Sequence, residues 1–288
     1  MKAGIFANPT KAEAPQTLKL VTETLAQYGI ESVLDVEAGE LMGIDGTKDF
    51  YKGVDLVLSL GGDGTMLETV RRMEKETAIP IAGVNIGTLG FLTTCTDEDF
   101  PKFAQYWVEG ELETTPLSML RVEILKGGEV TKTFLALNEL VLMRGNTGRL
   151  VSIDASINGK FLTHYKSDGL IVSTPTGSTA YSLAAGGPII APGSGVVVIN
   201  PICPHTLSNR ALVVPSSSEI TLQSCEGIND PVFFSTDGRD VFELTPRSTV
   251  RVSCADLPVE LLQMPNYEYY EKLRAKLGWS GGSSNSCH

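Results

Sequence analysis

No apolar run in this sequence approaches the ~20 residues that a helix needs to cross a bilayer. Yet 42% of its 288 residues are hydrophobic, an ordinary share for a soluble chain of one or two domains. The opening residues Met1-Lys2-Ala3-Gly4-Ile5-Phe6-Ala7-Asn8-Pro9 lack the apolar core of a signal peptide. They read as a strand and a turn, and a cytoplasmic protein is expected. Basic residues are in deficit: 23 Lys and Arg against 34 Asp and Glu leave a net charge of −11. That argues against nucleic acid or an anionic membrane as partner, while a locally basic site for a phosphorylated substrate stays open. The five cysteines, Cys95, Cys203, Cys225, Cys254 and Cys287, show no CxxC spacing. They read as reduced, mostly buried thiols rather than zinc ligands or disulfides. No hydrolase-type Ser/His/Asp arrangement, no metal cage and no internal repeat is visible, so a metal site of the chain's own is not expected.

What is present centres on Gly61-Gly62-Asp63-Gly64-Thr65. The run Val54-Asp55-Leu56-Val57-Leu58-Ser59-Leu60 before it is too apolar for a surface strand and reads as a buried parallel one. Met66, Leu67, Val70 and Met73 after it fall on one helical face. The five residues therefore form a strand-to-helix turn at the carboxyl end of a strand, where open α/β sheets place ligands. Amide N–H groups at a helix N-terminus suit phosphate, and glycines let a ligand approach the main chain. A tight turn in which Asp63 merely caps a helix fits the same five residues.

The first ~115 residues alternate strands and helices as βαβ units with a parallel sheet do. Ala3–Ala7 is a strand. Pro15 opens a helix with Leu18, Val21, Leu25 and Tyr28 inward, and Gly29 ends it. Ile30–Val36 is a strand, and residues 39–53 read as surface. Pro80–Asn85 is a strand entering a second glycine-rich turn, and Asp97 is placed to cap a helix carrying Phe100, Phe103 and Trp107. From Pro116 short alternating strands take over, with Asn158-Gly159 and Asp237-Gly238 as hairpin signals and Val259–Leu262 as the last strand. The expected fold is an α/β domain, Rossmann-like, over 1–115, and a mostly β domain over 116–264. Residues from about 265 to 280 are too aromatic for a free tail and are expected to return to the first domain. Residues 281–288 read as a disordered tail.

In the β domain a strand beginning at Asp168-Gly169 feeds Ser173-Thr174-Pro175-Thr176-Gly177-Ser178-Thr179-Ala180-Tyr181-Ser182-Leu183-Ala184-Ala185-Gly186-Gly187-Pro188. The hydroxyls offer donors and acceptors to a sugar or phosphate, and Tyr181 offers a ring to stack on a base. A structural Ser/Thr turn is the competing reading.

Together these stretches resemble the NAD kinase family. The resemblance rests on GGDGT at 61–65, Asn85 to Leu92, Leu137-Asn138-Glu139, the run 168–188, Pro204-His205-Thr206-Leu207-Ser208 and Lys276-Leu277-Gly278-Trp279-Ser280. GGDGT alone is shared with diacylglycerol, sphingosine and phosphofructo-type kinases, and the 168–188 run is the specific part. The resemblance implies phosphorylation of the adenosine-ribose 2'-hydroxyl of NAD by ATP, or another phosphoryl donor, to give NADP. It implies a cytoplasmic homo-oligomer, dimer or tetramer, with the site between an α/β and a β domain and the C-terminal segment back on the first. Mg²⁺ would arrive with the donor's phosphates.

Carried onto this chain, Asp63 matches the catalytic aspartate that takes the hydroxyl proton, and Gly64 lets the dinucleotide lie against the main chain. Asn138 and Glu139 match the pair that holds NAD, an amide for the adenine edge and a carboxylate for ribose hydroxyls. Asp168, Thr179, Ala180, Tyr181, Ser182, Leu183 and Ala184 match the dinucleotide-binding run. Arg149 and Lys166 fall where members carry NAD contacts, often basic; a charged residue at Lys166 goes with use of NAD over NADH. Arg239 stands where many members have Gln, and Glu68 where some have Arg. His164 reads as a surface strand residue, and His205 as a structural residue bonding a buried turn. A lipid or small-alcohol kinase sharing GGDGT, and a non-catalytic dinucleotide sensor, are the alternatives.

Overall fold

The computed structural model describes residues 1–73, 78–87, 90–146, 148–206, 208–224, 231–244 and 247–279. The tail 281–288, Cys225, Cys287 and the motif residues Thr88, Leu89, Leu207 and Ser280 lie outside them. The chain forms two units, Met1–Thr115 with Val259–His288, and Pro116–Pro258.

In chain order the first unit begins β1 (Lys2–Ala7), α1 (Ala14–Gln27), β2 (Glu31–Leu34), α2 (Val36–Met42), β3 (Leu56–Gly61) and α3 (Asp63–Arg72). It continues β4 (Ile81–Asn85), β5 (Cys95–Thr96), α4 (Phe100–Glu109) and β6 (Glu113–Leu117). The second unit holds β7 (Leu120–Lys126), β8 (Glu129–Ala136), β9 (Glu139–Arg144), β10 (Val151–Ile157), β11 (Lys160–Ser167) and β12 (Gly169–Ser173). After it come α5 (Tyr181–Ala184), β13 (Val196–Ile202), β14 (Leu212–Pro215), β15 (Ile220–Ser224), β16 (Val232–Thr236), β17 (Arg239–Glu243) and β18 (Thr249–Cys254). β19 (Val259–Gln263) and α6 (Tyr269–Leu277) then rejoin the first unit.

The first unit is built on a sheet of order β2-β1-β3-β4-β19-β6, with β5 beside β4. β1 runs parallel to β2 and β3, and β4 runs parallel to β3, β5 and β19. All six residues of β3 are buried, as an uninterrupted apolar run in a parallel sheet should be. Leu18, Val21 and Leu25 of α1 and Phe100 and Phe103 of α4 cover the sheet and are fully buried. β19 had been grouped with the β series because Val259, Leu261 and Leu262 fit either setting. Its partner is Ile81 of β4, in parallel, with Leu261 opposite.

Local expectations shift in five places. The strand expected to run to Val36 stops at Leu34, because Asp35 caps α2: its Oδ1 accepts from Ala38 N–H at 2.8 Å. Residues 39–53 are not all surface, since Gly39, Phe50 and Tyr51 are buried. Asp99, not Asp97, is the N-cap of α4, and Tyr28 follows α1 and is exposed. In the C-terminal segment it is Lys272 and Leu273 that are buried, while Tyr270 and Trp279 stand in solvent.

The second unit carries two antiparallel sheets, β11-β10-β15-β18-β7-β8 and β14-β13-β12-β9-β16-β17. Alternate residues of both, among them Val122, Ile153, Leu142, Val172 and Phe234, meet in one apolar core. Asn158 and Gly159 both take positive φ between β10 and β11, as do Asp237 and Gly238 between β16 and β17. Those are the two hairpins that the dipeptides foretold. Among the described residues no helix is long and apolar enough to cross a membrane. His164 is exposed beside Asp154, its Nδ1 2.9 Å from Oδ1. His205 is exposed, and its main-chain N–H donates to Lys166 O at 2.9 Å. Cys95 is buried, Cys254 half-buried and Cys203 exposed, all as free thiols.

A polar cluster ties β2, α2 and α3 of the first unit together. Arg72 donates to Asp35 Oδ2 at 3.1 Å, to both Glu37 oxygens at 2.7 and 2.6 Å and to Glu68 Oε1 at 2.8 Å. The face of its guanidinium lies 4.5 Å from the Phe6 ring. Arg72 holds the Glu37 carboxyl down at about 2, while burial, then Glu37, pushes Asp35 up to about 7. Arg72→Met leaves three carboxylates without their shared cation. We expect a loss on the order of 2 kcal/mol at pH 7, below the fully buried case because Arg72 is partly exposed. The loss should shrink at pH 5, where the carboxyls can take up protons. Urea unfolding at the two pH values measures it, and equal losses would exclude charge repulsion as the cause.

Candidate functional site

Gly62 caps α3 with no side chain, so Asp63 opens the helix at the carboxyl end of β3. N–H groups there lack partners inside the helix and favour negative charge. The Asp63 carboxylate reaches instead to the second glycine-rich turn. Oδ2 accepts from Phe91 N–H at 2.9 Å and Oδ1 from Leu92 N–H at 2.8 Å. Gly90 makes this approach possible, because a Cβ there would stand 2.1 Å from Asp63 Oδ1. Gly64 is exposed, and a Cβ added to it would meet nothing within 4 Å. Thr65 Oγ1 accepts from Gly62 N–H at 3.3 Å and from Asn8 Nδ2 at 3.2 Å, which joins the glycine turn to the end of β1. Asn85 Nδ2 donates to Gly87 O at 2.6 Å, while its Oδ1 is buried with no partner among the described residues.

From α6 the Lys272 ammonium donates to Phe91 O at 3.2 Å and Thr93 O at 2.5 Å. Burial lowers its pKa to about 8, against a pull from Asp63 in the other direction. Tyr267 lies against it, ring centre 5.0 Å from Nζ, and burial pushes that phenol up to about 12. Glu68, the residue standing where a basic contact occurs in some relatives of the motif, is buried and bonded to Arg71 and Arg72. A cavity of about 580 Å³ lies along that flank of α3, lined by Asp35, Glu37, Lys48, Tyr51 and the two arginines among others.

In the second unit Asn138 and Glu139 meet the hairpin of β16 and β17. The Asp237 carboxylate accepts N–H bonds from Leu137 and Asn138 at 2.8 Å each and from Glu139 at 3.0 Å. Asp237 tolerates the positive φ of 48° that puts it there. The loop after β12 closes on the same residues. Thr174 N–H bonds Asn138 O at 2.9 Å, Thr174 Oγ1 bonds Leu137 O at 2.6 Å, and a Cβ on Gly177 would stand 2.2 Å from Asn138 O. Glu139 is buried beside Asp237, and its Oε2 has no partner among the described residues. Burial first, then the Asp237 charge, pushes Glu139 up to about 8. Burial also raises Asp237, against the pull of its three N–H donors. At neutral pH Glu139 therefore carries a proton it can donate, where acceptance from hydroxyls had been expected.

The run 168–188 does not form one local site. Ser173 pairs with Glu139 and Gly169 with Met143, so the run enters β12 at one end and leaves at the other. Asp168 lies at the far end, where its Oδ1 pairs with Arg144 Nε at 2.6 Å. At ~3.3 Å per residue that end is about 17 Å from Glu139. Among the residues at the near end, Ser182 is fully buried and receives Asn200 Nδ2, while Tyr181 and Ala184 are exposed and Thr179, Ala180 and Leu183 half-buried. Arg149, Lys166 and Arg239 are exposed. Sequence reasoning missed Asp237, which read only as a turn residue, together with Arg144, Thr174 and Lys272.

Residues 3–112 match the family described as ATP-NAD kinase N-terminal domain, and residues 137–264 that described as ATP-NAD kinase C-terminal domain. A Geotalea daltonii protein described as NAD kinase is 37% identical over 281 residues, 96% of this chain and 98% of its own. An Azoarcus protein of the same description is 37% identical over 277 residues, 93% and 92%. Among solved structures, the yeast NADH kinase complexed with NADH is 25% identical with a TM-score of 0.88, covering 100% of this chain and 90% of its own. An Archaeoglobus fulgidus NAD kinase in complex with ATP, 23% identical with a TM-score of 0.73 and covering 98% of this chain and 100% of its own, shares the fold.

The Glu139–Asp237 pair carries a pH signature. Glu139 rises from 4.5 to about 8 on folding. Its contribution to stability is full below about 4.5 and is lost as pH rises through about 8. Glu139→Gln removes that titration and keeps the shape. Between pH 5 and pH 8.5 the wild type should lose more stability than the variant, by up to a few kcal/mol. Urea midpoints at the two pH values report the difference, and parallel pH dependence of the two proteins would contradict the assignment.

Proposed function

Since the chain belongs to the NAD kinase family, whose members phosphorylate NAD to NADP, we propose that Asp63 is the base of that transfer and that Asn138, Glu139 and the run after β12 hold NAD. The observation that carries the reading is the Asp63 carboxylate at the head of α3, at the carboxyl end of a fully buried parallel strand. Each of its oxygens accepts one main-chain N–H bond and keeps lone pairs for a substrate proton. The ribose 2'-hydroxyl oxygen of NAD attacks the terminal phosphorus of ATP as its proton passes to Asp63, and ADP leaves. The exposed amides at the start of α3 receive phosphate. Mg²⁺ held by the donor's phosphates would neutralise their charge.

Asn138 presents its amide to the adenine edge. Glu139, an acid at neutral pH, can both donate to and accept from ribose hydroxyls. The exposed and half-buried residues among 179–184 line the dinucleotide, with Tyr181 stacking on it, while buried Ser182 secures the run through Asn200, and Arg149 and Lys166 supply positive charge for the pyrophosphate. Asp168 contributes through the separate Arg144 pair. The protein works in the cytoplasm as a homo-oligomer, and NAD is preferred to NADH.

The direct test is a coupled assay with NAD, ATP and Mg²⁺, read by an NADP-specific dehydrogenase; no NADP above background would end this reading. Asp63→Asn should lower turnover by roughly 10²–10⁴ and leave NAD affinity within a few-fold. It also sets an amide N–H against a main-chain N–H, so a modest drop in melting temperature is expected alongside. Recovery of turnover at high Mg²⁺ would make Asp63 a metal residue instead.

Gly64→Ala separates binding from folding. Its Cβ enters open space in a helix, so stability should hold or rise by up to ~1 kcal/mol. If NAD lies against this turn, affinity falls by about tenfold or more. Unchanged NAD affinity in isothermal titration would remove Gly64 from the site.

A further inference from the structure

The turn that holds Asp63 is itself held from the other side. Lys272 Nζ donates to Phe91 O at 3.2 Å, and Leu92 N–H donates to Asp63 Oδ1 at 2.8 Å. That carbonyl and that N–H belong to one peptide group. A hydrogen bond to its oxygen polarises its N–H, so the two bonds strengthen each other. The second carbonyl on Lys272, Thr93 O at 2.5 Å, pins the turn beyond the linkage. We propose that Lys272 is a positioning residue for phosphoryl transfer: through the Phe91–Leu92 peptide its ammonium fixes the orientation and charge of the Asp63 carboxylate. The inference rests on the reading of Asp63 as the base.

Lys272 is placed for this and for little else. It is buried, on a helix whose Arg274 is exposed and whose Lys276 is half-buried, its ammonium 5.8 Å from the centre of the Phe91 ring. Its charged and titratable neighbours are Asp63 on α3, Lys276 on its own helix, the Cys95 thiol on β5 and Tyr267 before α6. Burial dominates and brings its pKa to about 8. The ammonium therefore gives up its proton within a range an assay can reach. Above about pH 8 a neutral amine remains; it still donates, but the charge that polarises the peptide is gone.

Three readings test the linkage. In the wild type the Leu92 amide resonance should shift with a midpoint near pH 8, and in Lys272→Met that shift should vanish, whatever the turnover. The wild-type kcat should fall above about pH 8. Lys272→Met should lose 10- to 100-fold in kcat at pH 7, with KM for NAD within about threefold and the alkaline limb gone, while Lys272→Arg, charged throughout, regains part of the rate. The double variant with Asp63→Asn should be no slower than Asp63→Asn alone, because Lys272 acts through that side chain. A Leu92 resonance that does not titrate, an unchanged kcat in Lys272→Met, or losses that multiply in the double variant would each overturn the proposal. If Lys272→Met does not fold, the wild type decides: kcat and the Leu92 resonance must move together near pH 8. A wild type that makes no NADP sinks the base reading, and the positioning role with it, even where the Leu92 shift shows the clamp to be present.

Discussion

Asp63 accepts one N–H bond on each oxygen from the turn at Phe91 and Leu92. A carboxylate met by main-chain donors is the interaction on which both units depend. Asp237 does the same with Leu137, Asn138 and Glu139, and Asp35 with Glu37 and Ala38. Asp63 and Asp237 reach across to a loop and Asp35 caps the first turn of its own helix, and in each case the N–H groups would otherwise be orphaned. Charge-assisted bonds of this kind are short and strong, and they fix the loop without bulk. The motif residues beside them, Gly90, Gly177 and Thr174, make room for that reach or secure its far side.

The two units use the acids differently. Asp63 is half-exposed, with its carboxylate open to one side. Asp237 and Glu139 are closed in together, and their nearness is tolerable because one of them keeps its proton. The first unit handles three more acids by gathering them around Arg72. Neutralisation by a proton and neutralisation by a guanidinium are two answers to the same desolvation cost. They leave the molecule sensitive to pH in separate places.

Much of this was legible in the sequence because it is local. The apolar run of β3, the glycines after it and the Asn-Gly and Asp-Gly turns announce themselves within a few residues. Asp35 as a helix cap and Asp237 as an anchor were not legible. Their meaning lies with Arg72, 37 residues on, and with Leu137 to Glu139, about a hundred residues back. Lys272 was hidden for another reason. A lysine in an amphipathic helix reads as solvent-facing, and only the carbonyls of a turn 181 residues away make its burial affordable. The aromatic residues around it suggested packing, but two of the largest, Tyr270 and Trp279, face water. The split of the run 168–188 across β12 was hidden because a motif continuous in sequence need not be compact in space.

The first unit is assembled from two segments, Met1–Thr115 and Val259–His288, with the whole second unit synthesised in between. β19 joins β4 in its sheet, and α6 supplies the ammonium behind the Asp63 turn. On a ribosome, therefore, the N-terminal sheet waits incomplete while the β unit emerges and is free to fold. The closing strand and helix are translated only after it. Such long-range pairing is slow to form and leaves the Ile81 end of β4 without its β19 partner until the second unit has been made. A nascent chain stalled before Val259 would hold every residue of GGDGT and yet lack the lysine that braces it. Vectorial synthesis thus delays the finished acid until the whole second unit has been made.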